Sequence, residues 1–193
     1  MRTDFPIVCV GGSAGSLDAY KNLLKLLPSD MGIAIIIVNH VSRSPAVLHE
    51  LLSRYTAMPV ELITGNLCIR PNHVFIIPSN RDLHVVEGVF VLRPKSKKSG
   101  WPDVITVFLR SLAHHWRGKL VAVIVSGLDS DGSDALKEIK AVGGITIAQS
   151  PETAEWSDMP ESAIKTGYVD YILSVDAIAK RIVQIASRHA LND

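Results

Sequence analysis

Five apolar-rich runs, three of them unbroken and most followed by apolar positions at helical spacing, constrain this chain more than any other feature. Phe5 to Val10 stops at Gly11-Gly12, and Leu17, Tyr20, Leu23, Leu24 and Leu27 then recur at helical spacing until Pro28. Ile33 to Val38 runs into His40 and a helix that Pro45 can start and that continues through Tyr55. Leu120 to Val125 leads to Gly127 and a helix from about Gly132 to Val142, then comes Ile145 to Ala148, and Val169 to Leu173 precedes a helix over Val175 to Ala190. Strands that are apolar throughout, rather than at every second residue, are buried on both faces, and alternation with helices supplies the cover. The expectation is an α/β fold: a doubly wound, mostly parallel sheet with helices on both faces.

One stretch breaks the rhythm. Val74 to Ile77, Leu83 to Val86 and Val89 to Leu92 are short β runs separated by Pro78-Ser79-Asn80 and Glu87-Gly88, and they predict a small antiparallel ribbon. Arg93 to Gly100 follows as a basic, breaker-rich loop, read as solvated. No repeat or linker divides the chain, so residues 1–193 are read as a single domain.

Composition removes several function classes. With 47% hydrophobic residues, 20 basic and 19 acidic side chains, the chain is globular rather than disordered. A net charge of +1 supplies no field for nucleic acid or an anionic membrane, and Trp101, Trp116 and Trp156 are not interleaved with basic residues as a single-strand platform would need. The longest apolar runs have six residues, too few for a membrane span, and the N-terminus has no room for a secretory apolar segment; the expected location is the cytoplasm. Cys9 and Cys68 read as small core residues of a reducing compartment. The histidines contain no i, i+4 pair, and the glycine-rich turn matches no nucleotide-binding pattern, so neither a metal nor a cofactor is expected.

In open parallel sheets reactive groups gather at the carboxyl ends of the strands. Three candidates follow strands: Ser13 in Gly11-Gly12-Ser13-Ala14-Gly15-Ser16, His40 after Asn39, and Asp131 in Ser126-Gly127-Leu128-Asp129-Ser130-Asp131-Gly132. A serine hydroxyl becomes a nucleophile when an imidazole takes its proton, and a carboxylate fixes the tautomer of that imidazole. Free N–H groups at the turn after Ser13 can stabilise an oxyanion. Each residue also has a plainer reading: Ser13 as a helix cap, His40 as a backbone hydrogen-bonder, Asp131 as a helix N-terminal residue.

Several segments, taken together, resemble the catalytic domain of the CheB-type chemoreceptor methylesterases. They are Gly12-Ser13-Ala14-Gly15, Val38-Asn39-His40, Pro71-Asn72-His73-Val74, Arg110-Ser111-Leu112-Ala113, Ser126-Gly127 with Ser130-Asp131-Gly132, and Met159-Pro160-Glu161-Ser162-Ala163-Ile164. The resemblance runs from Ile7 to about Ile182. It implies a Ser13 nucleophile, a His40 general base, an orienting Asp131, and oxyanion or binding positions at Ala14 and Leu128. The implied reaction is hydrolysis of glutamate γ-methyl esters on the cytoplasmic helices of methylated chemoreceptors, with glutamine deamidation as a related activity. No cofactor is required, and a receptor methyltransferase is a further partner that the resemblance implies. A catalytically weakened binding module of the same fold is the alternative.

This chain departs from that family's pattern at Ser16 and Asp129, where glycine is usual, at Asn39, where glutamine is usual, and in a shifted register around Trp101-Pro102-Asp103 and Thr106. A receiver domain precedes this domain in many relatives; here six residues precede Ile7, which fits a stand-alone domain or a piece of a longer chain and does not decide between them. Three further expectations follow. Ser13→Ala and His40→Ala abolish hydrolysis and leave the fold intact, because both side chains lie on an exposed rim. The ribbon and the basic loop, having no covering role, frame the site and help select the protein substrate. Asp129, at about 6 Å from His40 across an open rim, raises the imidazole pKa.

Overall fold

The apolar runs sort their side chains alternately to two sides of one sheet. In the computed structural model, which describes residues 4–40, 45–96 and 103–191, the first strand, β1 (Ile7–Gly12), sends Ile7 and Cys9 to one side and Val8 and Val10 to the other. Its neighbours are β2 (Ala34–Asn39) and β7 (Leu120–Ile124), both parallel to it. Further out lie β4 (His73–Ile76) and β3 (Val60–Leu62) beyond β2, and β8 (Ile145–Gln149) and β9 (Tyr171–Leu173) beyond β7. The full order is β3-β4-β2-β1-β7-β8-β9, parallel throughout. The doubly wound expectation is met.

One face is covered by α1 (Ser16–Leu26), α2 (Pro45–Leu52) and α6 (Val175–Ala190), which pack Tyr20, Leu24, Leu52 and Ile182 against Val8, Ile35 and Val123. The other face carries α3 (Val104–His115), α4 (Leu136–Ala141) and α5 (Asp158–Lys165), with Phe108, Leu136 and Met159 set against Cys9, Ile36 and Ala122. The antiparallel hairpin of β5 (Arg81–Val86) and β6 (Val89–Pro94) joins this second face. Its turn has Glu87 at φ 50° and Gly88 at φ 78°, the paired left-handed conformation that suits the twist of a two-residue hairpin.

The structure corrects several details. Val74 to Ile77 does not belong to the ribbon: Val74, Phe75 and Ile76 are buried on both faces of β4, between β2 and β3. The ribbon is the hairpin alone, and it does cover the core, since Leu83, Val85 and Phe90 are fully buried and Val85 N–H donates to Ser111 Oγ of α3 at 2.9 Å. The helix expected from Gly132 is a 3-10 turn, Ser133–Ala135, followed by the short α4. Helix α2 ends at Leu52 rather than Tyr55. Cys9 is buried, but Cys68 is only half-buried, in an isolated bridge to Val89. In the basic loop, Arg93 and Pro94 end β6, and residues 97–100, with Trp101 and Pro102, lie outside the described residues.

Candidate active site

The parallel register delivers the site. Gly12 pairs with Asn39 and Gly11 with Ile124, so Ser13, His40 and the loop after β7 all emerge at the carboxyl rim of the three central strands. The connections are direct: Ser13 N–H donates to Ser126 O at 2.9 Å, and His40 N–H to Gly12 O at 3.4 Å. Close approach requires glycine at position 12, where a Cβ would stand 2.5 Å from Tyr20 Oη, 2.7 Å from Ser16 Cβ and 2.8 Å from Val125 Cγ2. Gly15, at φ 69°, turns the chain into α1. Ser16 Oγ donates to Ser13 O at 2.6 Å, so Ser16 braces the backbone of Ser13.

His40 is buried between two carboxylates. Its Nε2 lies 2.5 Å from Asp131 Oδ2 and its Nδ1 lies 2.8 Å from Asp129 Oδ2; the side chains of His40, Asp129 and Asp131 are 3%, 8% and 2% exposed. The expected influence of Asp129 is therefore present at hydrogen-bonding distance rather than at 6 Å, in a closed place rather than an open rim. Nor is His40 an exposed residue. Burial pulls the imidazole pKa down, but the hydrogen bonds and negative charges of Asp129 and Asp131 outweigh it and raise the pKa to about 9. Among the described residues no hydrogen bond joins Ser13 Oγ to the ring, and Ser13 itself is half-buried.

Asp131 is anchored on its far side by α3. Oδ2 accepts the N–H of Ile105 at 2.8 Å and Oδ1 that of Thr106 at 2.9 Å, while Thr106 Oγ1 accepts Gly132 N–H at 2.8 Å. Asp131 is thus a helix N-terminal residue in space, but of α3 rather than of the helix that follows it in sequence. Burial pushes its carboxyl pKa up, and the hydrogen bonds from His40, Thr106 and Ile105 more than reverse that, leaving it below the usual carboxylate value. Ile105, Thr106 and the direct contact of Asp129 were not read from the sequence.

The loop carrying Leu128 is tied to the rest of the rim. Ser126 Oγ donates to Ala14 O at 2.8 Å and accepts Trp156 N–H at 3.0 Å, Ser126 N–H donates to Gln149 Oε1 at 3.1 Å, and Gly127 N–H donates to Trp156 O at 3.1 Å. Among the described residues no partner takes the N–H of Ala14, next to Ser13 in the chain, or of Leu128, which follows Gly127, where a Cβ would stand 3.0 Å from Ser13 Cβ. Beyond His40 a cleft of about 50 Å³ is lined by Asn39, Ile77, Asn80, Arg81 and Lys95. The arrangement holds an acyl-transfer set: a hydroxyl at a strand end, an imidazole, a fixed carboxylate and free N–H groups. Among the described residues no group of three or more ligating side chains could hold a metal ion, and no helix is long and apolar enough to cross a membrane.

Comparison with known proteins gives a consistent result. A protein from Burkholderia pseudomallei with the name protein-glutamate methylesterase/protein-glutamine glutaminase 2 is 29% identical over 186 residues, covering 95% of this chain and 54% of that protein. The chain spans about half the length of such relatives. A Leptospira interrogans protein with the name putative protein-glutamate methylesterase/protein-glutamine glutaminase is 31% identical over 184 residues and is matched over 95% of its own length. The crystal structure of the Thermotoga maritima CheB methylesterase catalytic domain superposes with a TM-score of 0.87 at 26% identity, covering 95% of this chain and all of that one. The family model described as CheB methylesterase matches residues 8–182, and the chain belongs to that family.

Proposed function

We propose that this protein hydrolyses glutamate γ-methyl esters on cytoplasmic chemoreceptor helices or a similar signalling protein, with deamidation of particular glutamines as a related activity. The observation that carries the reading is the His40–Asp131 hydrogen bond at the strand end next to Ser13, within a family whose members bear that activity in their names. Ser13 Oγ attacks the ester carbonyl while its proton passes to His40. The N–H groups of Ala14 and Leu128 hold the oxyanion, and Asp131 balances the imidazolium. The proton then leaves with methanol, and water, activated by the same imidazole, releases the glutamate from Ser13. The substrate places the enzyme in the cytoplasm, in chemotaxis adaptation or a related two-component pathway, with a receptor methyltransferase as its counterpart.

One observation favours a second reading, a catalytically weakened module of the same fold: both His40 nitrogens are taken by carboxylates. Methanol release from methylated receptor fragments separates the two. The esterase reading expects release from the wild type and a loss of roughly 10⁴-fold or more in Ser13→Ala. No release above the uncatalysed rate at any pH from 6 to 10 would favour the module.

A further inference from the structure

The arrangement just described works against the neutral imidazole that Ser13 needs. Two carboxylate oxygens facing the two ring nitrogens, at 2.5 and 2.8 Å, favour the doubly protonated ring, which donates to each and has no lone pair to offer. Asp131 is the less movable of the two acids, because the first turn of α3 grips both of its oxygens. Among the described residues, the contact of Asp129 other than His40 is through Oδ1, which accepts Asp131 N–H at 2.8 Å, so Oδ2 can leave the ring without breaking it.

We infer that Asp129 is a positioning residue that competes with Ser13 for the His40 imidazole, so that the resting site is latched and becomes reactive when Nδ1 is released from Asp129 to the serine hydroxyl. This inference rests on the esterase reading for the role of Ser13, while the contacts among His40, Asp129 and Asp131 stand apart from that reading. In the release step Nδ1 loses its proton to solvent, Asp129 keeps its charge, and the freed lone pair accepts the proton of Ser13 Oγ. Among the described residues, the charged groups around the ring are Asp129 and Asp131 from the loop after β7, and Arg81 and Lys95, which line the cleft on the hairpin side. The cations are present in every variant below and do not distinguish the latch. The raised pKa of His40, about 9, agrees with a ring that is doubly protonated at neutral pH.

Labelling of Ser13 by a fluorophosphonate, followed against pH, tests the latch. Asp129→Asn keeps the oxygen that accepts Asp131 N–H and removes the charge facing Nδ1, whereas Asp129→Gly removes both. The latch expects Asp129→Asn to label roughly tenfold or more faster than wild type at pH 7, with the acid limb of the rate moved down by about one pH unit or more. A purely structural role in the turn expects Asp129→Asn to match wild type and Asp129→Gly to fall below it; that outcome overturns the inference. Nitrogen-15 NMR of His40 supplies a readout independent of any reaction. Two protonated ring nitrogens in the wild type at pH 7 and one in Asp129→Asn support the latch, and a neutral wild-type ring overturns it. If labelling and NMR behave as expected while no variant releases methanol from methylated receptor fragments, the latch stands and the esterase reading falls.

Discussion

Asp131 holds His40 with the same carboxylate that holds the first turn of α3, its Oδ2 lying 2.5 Å from Nε2 and 2.8 Å from Ile105 N. Fold and chemistry meet in that oxygen. Replacing Asp131 by Ala removes the partner of a buried imidazole and two helix N–H groups together, and is expected to destabilise the protein by about 3 kcal/mol or more in urea denaturation. Asp131→Asn retains one acceptor and is expected to fold more stably than Asp131→Ala, while losing hydrolysis by roughly 10⁴-fold through the wrong imidazole tautomer. Equal stability of the two variants would contradict this.

Ser13→Ala and His40→Ala are expected to part company. Ser13 is half-buried and its hydroxyl has no described partner, so its removal should leave the urea midpoint within about 0.5 kcal/mol of wild type. The His40 side chain is 3% exposed and separates two acids, so His40→Ala leaves like charges facing each other and is expected to cost about 2 to 4 kcal/mol. A His40→Ala variant as stable as wild type at pH 7 would mean that one of the acids binds a proton instead.

Stability should depend on pH through His40. Its folded pKa, about 9, lies above the ordinary imidazole value of 6.5, so its contribution is full below pH 6.5 and is lost as pH rises through 9. The full difference is about 3 kcal/mol. Urea denaturation at pH 6, 8 and 10, compared with His40→Gln, isolates it from the other groups that titrate. The gap between the two proteins should shrink with rising pH, and a constant gap would remove the charged imidazole from the account.

Gly12→Ala tests the close packing under Ser13. The added carbon meets Tyr20, Ser16 and Val125 at 2.5 to 2.8 Å, all of them buried neighbours. Overpacking of this kind costs about 1 to 3 kcal/mol, and the strand must shift at the residue that precedes Ser13. Hydrolysis is therefore expected to fall by more than the loss of folded protein accounts for, as measured by kcat on the folded fraction.

Arg81 and Lys95, on the hairpin side of His40, are expected to attract an acidic receptor helix. Arg81→Gln with Lys95→Gln should lower kcat/KM for such a substrate at low salt, chiefly through KM, and the difference should fade at high ionic strength. An effect independent of salt would exclude electrostatic attraction.

The central strands were legible because β1, β2 and β7 are buried on both faces and leave uninterrupted apolar runs. The same signature was present in Val74 to Ile77, but its position beside two hairpin runs drew it into the ribbon. β3 has three half-buried residues with Glu61 at its centre, and α5 carries Pro160 in its first turn, so neither announces itself. The shared location of Ser13, His40 and Asp131 could be read because a parallel sheet sends all its strand ends to one rim. The grip of α3 on Asp131 depends on how a helix far away in sequence packs, and the contact of Asp129 depends on the path of one loop. Periodicity records neither.

The strand order has a consequence for the chain as it is made. β1 lies between β2, which is translated soon after it, and β7, which begins at Leu120. Until that residue emerges, a nascent chain has Ser13 and His40 but neither acid, and one side of β1 is an open edge with unpaired N–H and C=O groups along an apolar strand. Fragments ending before Leu120 are therefore expected to be insoluble as well as inert, because the segment that brings Asp129 and Asp131 is the one that closes the edge.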